Sequence, residues 1–159
     1  QLNHEFKAGK IITIIGCGGD RDPLKRPIMG KIAVENSDYV IFTSDNPRSE
    51  DPLKILDDIT ASLTNDNYVV EVDRVKAIRQ GIDLLKGNDV LMILGKGHED
   101  YQITKEGKHH FSDQEEVAPY IRGEVSKRVD IRHTPEIKFI YDESIEYGKK
   151  IDDIISSLN

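Results

Sequence analysis

The sequence has only one cysteine and no long apolar run, and each of these shortages excludes a class of protein. Cys17 alone cannot form an internal disulfide or a zinc site made of several cysteines, and it suits a reducing compartment. No apolar segment approaches the roughly 18 residues of a membrane span, and the N-terminus does not have the pattern of a signal peptide. We therefore expect a cytoplasmic protein with no membrane contact.

Positive charge is also in short supply. The 159 residues include 22 Lys and Arg against 29 Asp and Glu, a formal net charge of −7. Such a balance argues against RNA, the ribosome or an anionic membrane as a general partner. Hydrophobic residues make up 37%, which is enough for the core of one domain of ordinary size.

Apolar and amphipathic segments alternate along residues 10–95, a pattern typical of a parallel α/β sheet with flanking helices. The predicted strands are residues 10–16, 39–43, 68–72 and 89–95, and the predicted helices are residues 25–36, 52–63 and 75–86. Two apolar stripes at helical spacing should face the core. They are Ile28, Met29 and Ile32 in the first helix, and Leu53, Leu56, Ile59 and Leu63 in the second.

The pattern changes after residue 100. Residues 101–104 and 109–111 predict a small hairpin, and Ser112 with Glu115 three residues later predicts the start of a helix. Pro119 should interrupt that helix and begin another. A strand over 136–141 and an amphipathic helix over 145–158 would complete a C-terminal helix-strand-helix segment.

Three unusual loops follow predicted strands. They read GCGGDRD (residues 16–22), DNPR (residues 45–48) and GKGHED (residues 95–100). Because the carboxyl ends of parallel strands meet at one edge, the loops should meet there too. They offer Arg21 and Arg48 to a carboxylate, the amide of Asn46, and four carboxylates to an ammonium group. The carboxylates are those of Asp20, Asp22, Asp45 and Glu99. Mixed charge of this kind favours a zwitterionic ligand.

Simpler interpretations compete with this one. The first loop fails the dinucleotide fingerprint because Arg21 stands where its third glycine belongs, and the third loop lacks the Ser or Thr of a P-loop. For Arg48 the alternative is a surface ion pair with Glu50 or Asp51.

Cysteine and histidine side chains allow alternatives as well. For Cys17 the simpler interpretation is a small buried residue, and the alternative is a nucleophile. His98 is either a base or a residue that orders its loop, and the pair His109 and His110 suits a solvated hairpin better than a metal site.

With residues 25–27 (KRP) and Tyr101 added, the three loops resemble the C-terminal domain of the Mur ligases that add the third residue of the peptidoglycan stem peptide. The resemblance covers about residues 1–117. It implies a Rossmann-like, mostly parallel sheet. It also implies a ligase that uses ATP to activate a glutamate carboxylate of UDP-N-acetylmuramoyl-L-alanyl-D-glutamate for attack by an amine.

The resemblance also implies the ligand. Members with the DNPR motif take meso-diaminopimelate, whose distal carboxylate would be held by Arg21, Asn46 and Arg48. Its distal ammonium would be held by Glu99 and the backbone of Gly95. Asp45, Pro47 and His98 would support the site. Lysine lacks that carboxylate and would leave the donors unpaired.

The resemblance does not extend to the rest of such a ligase. The UDP-binding domain and the ATPase domain with its phosphate loop and metal ligands have no counterpart here, and from the abrupt start at Gln1 we expect a piece of a longer protein. We expect no catalytic residue, metal or cofactor in this chain, with ATP and Mg²⁺ needed only by a complete ligase. The isolated chain should not catalyse the reaction.

Residues 118–157 resemble a different family, the ribosome-binding factor A proteins, through IRHTPEIKF (residues 131–139) and YDESIEYG (residues 141–148). This resemblance implies a fragment of a KH-type domain that assists ribosome maturation. Residues 119–138 carry five basic and three acidic side chains, too small an excess to ensure RNA binding. We therefore predict a chimera of residues 1–117 and 118–159, the second part packing on the same sheet. An RNA-binding module and a scaffold without activity are the alternatives.

Overall fold

A computed structural model describes residues 9–128 of the chain. Its strands are β1 (Ile11–Ile15), β2 (Tyr39–Phe42), β3 (Tyr68–Val70), β4 (Val90–Leu94), β5 (Tyr101–Thr104) and β6 (Gly107–His110). Its helices are α1 (Lys25–Asn36), α2 (Pro52–Thr60), α3 (Arg74–Leu84) and α4 (Asp113–Arg128). The alternation of strands and helices and the hairpin are confirmed. The predicted strand 136–141 and helix 145–158 lie outside the described residues, and the division at residue 117 stays a prediction.

Four parallel strands form the sheet in the order β3-β2-β1-β4, and β5 pairs with β6 in an antiparallel hairpin. Helices α1 and α2 cover one face, where they pack on Val40 and Phe42. Helices α3 and α4 cover the other, around Ile14 and Ile41. The predicted fold class, a parallel α/β sheet with flanking helices, is confirmed.

Helix α1 faces the core with a different side from the one predicted. The three apolar residues of the predicted stripe are exposed: Ile28 58%, Met29 37% and Ile32 55%. Gly30 and Ala33 face inward instead, because α1 lies so close to α2 that a Cβ on Gly30 would be 2.3 Å from the carbonyl oxygen of Ile59. Small residues at this contact allow the two backbones to approach.

Two further helix predictions are wrong in part. Leu53 is 55% exposed and Ile55 takes its place in the core of α2, next to Leu56 and Ile59. Helix α4 continues through Pro119, which lies exposed inside it. Proline removes one N–H and frees the carbonyl four residues earlier, and here that residue, Glu115, is also exposed, so water can satisfy the carbonyl. Within residues 9–128, every helix falls short of the length and apolar character that crossing a membrane requires.

Candidate functional site

The loops 16–22, 45–48 and 95–100, together called the rim here, contact one another at the carboxyl end of the sheet. The backbone N–H of Gly19 donates to the carbonyl of Asn46 at 2.8 Å. A Cβ on Gly19 would overlap the carbonyl oxygen of Pro47 at 2.0 Å, so only glycine fits there. Gly95, with φ of +113°, lies beside Gly16 and the carboxylate of Asp45. The rim is therefore one continuous surface.

Arg48 is held firmly in the rim. Its φ is +52°, an unusual conformation for a side-chain-bearing residue, and its backbone N–H donates to the carbonyl of Ile103 at 3.0 Å. Its Nη1 donates to the carbonyl of Gly19 at 2.7 Å and more weakly to that of Asn46 at 3.4 Å. The alternative of an ion pair with Glu50 or Asp51 is wrong, since Glu50 pairs with Arg26 and Asp51 caps α2.

Arg21 lies on the same side of the rim as Arg48 but is exposed. A Cβ built on Gly18 would be 2.8 Å from Arg48 Nη1 and 3.7 Å from Arg21 Cγ, so the two arginines flank this glycine. Among residues 9–128 no hydrogen bond or ion pair holds the Arg21 side chain. The pair thus combines one fixed guanidinium with one that is free to move toward a ligand.

A buried polar network occupies the other side of the rim. Asn46 is 3% exposed, and its Nδ2 donates to Glu99 Oε2 at 2.9 Å. Lys96, whose side chain is fully buried, donates to Asn46 Oδ1 at 3.1 Å and to the carbonyl of Tyr101 at 2.7 Å. Its Nζ also lies 3.3 Å from Asp45 Oδ1. The loops 45–48 and 95–100 are therefore joined by side chains as well as by packing.

The other predicted rim residues frame this network. Pro47 is buried beneath Gly19, and Glu99 is half-exposed, so its carboxylate can reach a ligand. His98 is exposed next to it. The structure thus brings Arg21, Asn46, Arg48, Gly95 and Glu99 onto one surface, while their individual roles stay predictions.

A second buried cation supports the first two loops from below. Arg26 is 3% exposed and forms a two-bonded pair with Glu50 at 2.8 and 2.9 Å and another bond to Asp58 at 2.8 Å. The hydrogen bonds from Arg26, and next the backbone N–H of Asp20, lower the pKa of Glu50. The same carboxylates raise the pKa of Arg26 beyond its ordinary value. Because Asp20 in turn accepts from Ser49, the loops 16–22 and 45–48 are locked together.

A third buried cation, Arg74, connects the rim to helix α4. Its guanidinium forms two hydrogen bonds with Asp113, at 2.8 and 2.7 Å, and its side chain is 1% exposed. It also donates to the carbonyls of Ser44 and Leu94, which lie where β2 and β4 end. The first residue of α4 is thereby fixed under two of the rim loops.

Cys17 and His110 have the simpler of the environments predicted for them, since Cys17 is buried and His110 is on the surface. Burial raises the pKa of Cys17 to about 11, and its thiol lies 3.7 Å from the sulfur of Met29, so it is a neutral core residue. His110 pairs with Glu115 at 2.6 Å on the surface, and this carboxylate raises the pKa of His110. Within residues 9–128 no three His, Cys, Asp or Glu side chains gather as metal ligands would.

Sequence reasoning missed the positioning residues of this site. Lys96, Arg26 and Arg74 are each buried among acceptors, whereas their residue type alone predicts a solvated surface. A signal was available for Lys96, because it comes just after an apolar strand and stands between two glycines. Arg26 and Arg74 lie at the first turns of helices, where nothing local distinguishes them from surface arginines.

Two parts of the chain match the models of two known protein families. Residues 1–97 match the family model "Mur ligase, glutamate ligase domain", and residues 88–155 match that of "Ribosome-binding factor A", the two overlapping at 88–97. The second match, over part of the chain that lies mostly beyond residue 117, agrees with the predicted chimera.

Individual relatives agree with the first match. The UDP-N-acetylmuramoyl-L-alanyl-D-glutamate--2,6-diaminopimelate ligase of Clostridium tetani is 50% identical over 117 residues, which are 74% of this chain and 24% of the relative. That of Lactiplantibacillus plantarum is 54% identical over 114 residues, 72% of this chain and 23% of the relative. A solved structure of a ligase of this name has a TM-score of 0.70 and 37% identity over 74% of this chain and 24% of its own.

The chain spans about a quarter of the length of these relatives. The match to the Mur ligase family model covers residues 1–97, which is more than half of the chain and includes all four parallel strands, the rim loops 16–22 and 45–48, and the start of the loop 95–100. The chain belongs to the Mur ligase family, whose C-terminal domain it contains.

Proposed function

We propose that the rim binds meso-diaminopimelate as the amino-acid substrate of a ligase that extends a peptidoglycan precursor. The observation that carries this proposal is the placement of two guanidinium groups and one carboxylate on opposite sides of Asn46. Arg21 and Arg48 lie on one side and Glu99 on the other. A ligand with a carboxylate and an ammonium group on the same carbon matches this arrangement of charge.

The distal carboxylate of the ligand would lie between the two arginines. Arg48 uses Nη1 to hold the carbonyl of Gly19, and within the described part of the chain its Nε and Nη2 make no hydrogen bond. Those donors, the free guanidinium of Arg21 and the second hydrogen of Asn46 Nδ2 all suit carboxylate oxygens. The distal ammonium would lie against Glu99 and the carbonyl of Gly95.

Lysine is the natural test ligand because it lacks only the distal carboxylate. Without that group the arginine side of the rim has no partner, so lysine should bind more weakly. Titration of the whole chain with meso-diaminopimelate and with lysine, followed by calorimetry, measures the difference. We expect a preference of about tenfold or more for diaminopimelate, since a hydrogen bond to a charged group contributes about 1.5–3 kcal/mol.

Arg48→Ala should remove most of this preference, and Lys54→Ala, at an exposed position of α2, should leave it unchanged. Equal affinities for the two ligands in the unaltered chain, or a preference that survives Arg48→Ala, would contradict the proposal.

The chain alone should not form the amide bond. The residues near the rim do not suit ATP: the loop 95–97 lacks the hydroxyl side chain of a phosphate loop, and carboxylates outnumber free cations there. No metal-ligand cluster lies within residues 9–128 to hold Mg²⁺. We therefore propose a binding domain that requires the remainder of a ligase for turnover, in the cytoplasm. Any ATP-dependent release of phosphate by the purified chain would contradict this.

The match to ribosome-binding factor A supports a second candidate, an RNA-binding module in the C-terminal part. It would bind small-subunit ribosomal RNA in a salt-dependent way, and the binding would be lost when Arg128 and Arg132 are neutralised. The net charge of −7 disfavours it. A scaffold without activity, the third candidate, would show neither RNA binding nor stabilisation by diaminopimelate.

A further inference from the structure

Lys96 is a lysine with no exposed side-chain surface in a loop that is otherwise open to solvent. Burying an ammonium group is costly unless acceptors surround it. Nζ donates hydrogen bonds to Asn46 Oδ1 at 3.1 Å and to the carbonyl of Tyr101 at 2.7 Å, and it forms an ion pair at 3.3 Å with Asp45 Oδ1, which accepts no hydrogen bond. The ring of Phe111 lies 5.6 Å from Nζ. Because its side chain has no exposed surface, the ammonium does not contact a ligand directly.

The contact with Asn46 determines which way that amide points. Asn46 Oδ1 accepts from two donors, Lys96 Nζ and the backbone N–H of Ile103 at 2.9 Å. Asn46 Nδ2 donates to the carboxylate of Glu99 at 2.9 Å. Turning the amide over would set its NH₂ group against two donors and its oxygen against a carboxylate, so both ends would lose their bonds and meet like charge.

We propose that Lys96 is a positioning residue that sets the specificity of the rim by fixing the Asn46 amide with its nitrogen toward the ligand. In this orientation Asn46 presents a donor, which selects a ligand carboxylate. It also holds Glu99 where that side chain can accept from a ligand ammonium. The proposal rests on the proposed function. It identifies Lys96 as the residue that makes Asn46 the hydrogen-bond donor of the site and leaves Glu99 as its acceptor.

A purely structural role for Lys96 makes a different prediction. If Lys96 only joined the two loops, its removal would weaken the fold and reduce affinity for every ligand equally. As a positioning residue it must affect ligands with a distal carboxylate more than ligands without one, because only they use the Asn46 donor. The ratio of the two affinities is therefore the readout, and a general loss of stability does not move it.

The test compares meso-diaminopimelate with lysine in the unaltered chain, in Lys96→Met and in Lys54→Met. Methionine has the length of lysine without its donors, and Lys54 is an exposed lysine that serves as the matched control. We expect Lys96→Met to reduce the preference for diaminopimelate by about tenfold, the effect of one hydrogen bond to a charged group. The control should keep the full preference.

Lys96→Met leaves Asp45 without its cation, so this variant can fail to fold. The double variant Lys96→Met/Asp45→Asn then takes its place, because it removes the buried carboxylate charge together with the lysine. In addition, the Nδ2 protons of Asn46 are observable by NMR in the unaltered chain. We expect nuclear Overhauser effects between these protons and the side chain of Glu99, whereas effects to the backbone N–H of Ile103 in their place would overturn the fixed orientation even without a variant.

The outcomes separate the two proposals. No preference in the unaltered chain overturns the proposed function and, with it, the specificity role of Lys96. A preference in the unaltered chain that persists in the folded Lys96 variant overturns the inference alone. A preference that is lost in the Lys96 variant and kept in Lys54→Met supports both.

Discussion

The rim with its supports and the core beneath it both contain buried side chains, yet these side chains are of different kinds. The core holds apolar side chains such as Ile14, Ile41 and Ile78, each 0% exposed. The rim and its supports bury Lys96 and Arg74, at 2% exposed each, against carboxylates and backbone carbonyls. Apolar contacts tolerate replacement by similar shapes, whereas a buried charge tolerates only a partner of the right geometry. The comparison teaches that the core supplies stability and the rim supplies a defined arrangement of donors and acceptors.

Breaking a charged pair under the rim should have the largest effect on stability. Arg74→Met leaves Asp113 buried without a partner and the carbonyls of Ser44 and Leu94 without a donor. We expect a loss near the upper end of about 3–5 kcal/mol in the free energy of unfolding, measured with urea. The double variant Arg74→Met/Asp113→Leu should recover most of it, and Lys76→Met on the exposed side of α3 should change little.

A loss below about 1 kcal/mol in the free energy of unfolding for Arg74→Met, or no recovery in the double variant, would contradict the difference between the rim supports and the core.

A cavity in the core should come next. Ile78→Ala removes a fully buried side chain between α3 and the sheet, and we expect a loss of about 2–4 kcal/mol. Leu53→Ala, at 55% exposure, is the control and should cost less than about 0.5 kcal/mol. Folded Ile78→Ala should keep the full preference for diaminopimelate over lysine, since no rim residue contacts the change. A changed preference would show that core and rim are coupled.

The stability of the protein in acid should depend on the contact between Arg26 and Glu50, which supports the rim. Arg26 and the N–H of Asp20 lower the pKa of Glu50, so the stability from this contact is present above its ordinary pKa of 4.5. It is lost as the pH falls below 4.5 toward the lowered pKa of the folded state. Glu50→Gln should therefore be less stable than the unaltered chain at pH 6, and the difference should shrink in acid. A difference that does not depend on pH would contradict the role of this charge.

The smallest effect on stability should come from the surface pair of His110 in the hairpin and Glu115 in α4. Its pH dependence has the opposite sign to that of Glu50. Glu115 chiefly, with Asp100, raises the pKa of His110, so the contribution is fully present below pH 6.5. It is lost as the pH rises through the raised pKa of the folded state. NMR titration of His110 should show its pKa falling toward 6.5 in Glu115→Gln. An unchanged pKa would mean that the 2.6 Å contact with Glu115 does not affect the protonation of His110 in solution.

Much of the fold follows from the sequence, because strands buried on both faces are continuous apolar runs. The segments around Ile14 and Ile41 could be placed on this signal alone. The apolar run around Ile93 also predicts a strand, although β4 lies at the edge of the sheet and is only partly buried. Helix α1 could not, since its core face consists of Gly30, Ala33 and Val34, while larger apolar residues point outward. Helical periodicity identifies the face with the most hydrophobic side chains. The core face of α1 is instead set by its close approach to α2, which requires small side chains that a hydrophobicity scale does not single out.

The rim was predictable in outline but not in its bonding. The topology of a parallel sheet is sufficient to bring Arg48, Asn46 and Glu99 to one edge. That Lys96 would be buried and would orient Asn46 depends on the exact path of the loop 95–100 over the loop 45–48, which no local pattern encodes. Arg26 and Arg74 were missed for the same reason, since their carboxylate partners lie 24 or more positions away in the sequence.

The central claim, that the rim is a diaminopimelate site, is tested most directly by mapping the ligand onto the whole chain with NMR. On titration with meso-diaminopimelate we expect backbone amide shifts in residues 18–21, in Asn46 and Arg48, and in residues 95–99, with Ile78 and the other core amides unmoved. Lysine should shift residues 95–99 and leave those around Arg48 in place. Saturating diaminopimelate that shifts no rim residue, or that shifts the core and the hairpin instead, would contradict the claim.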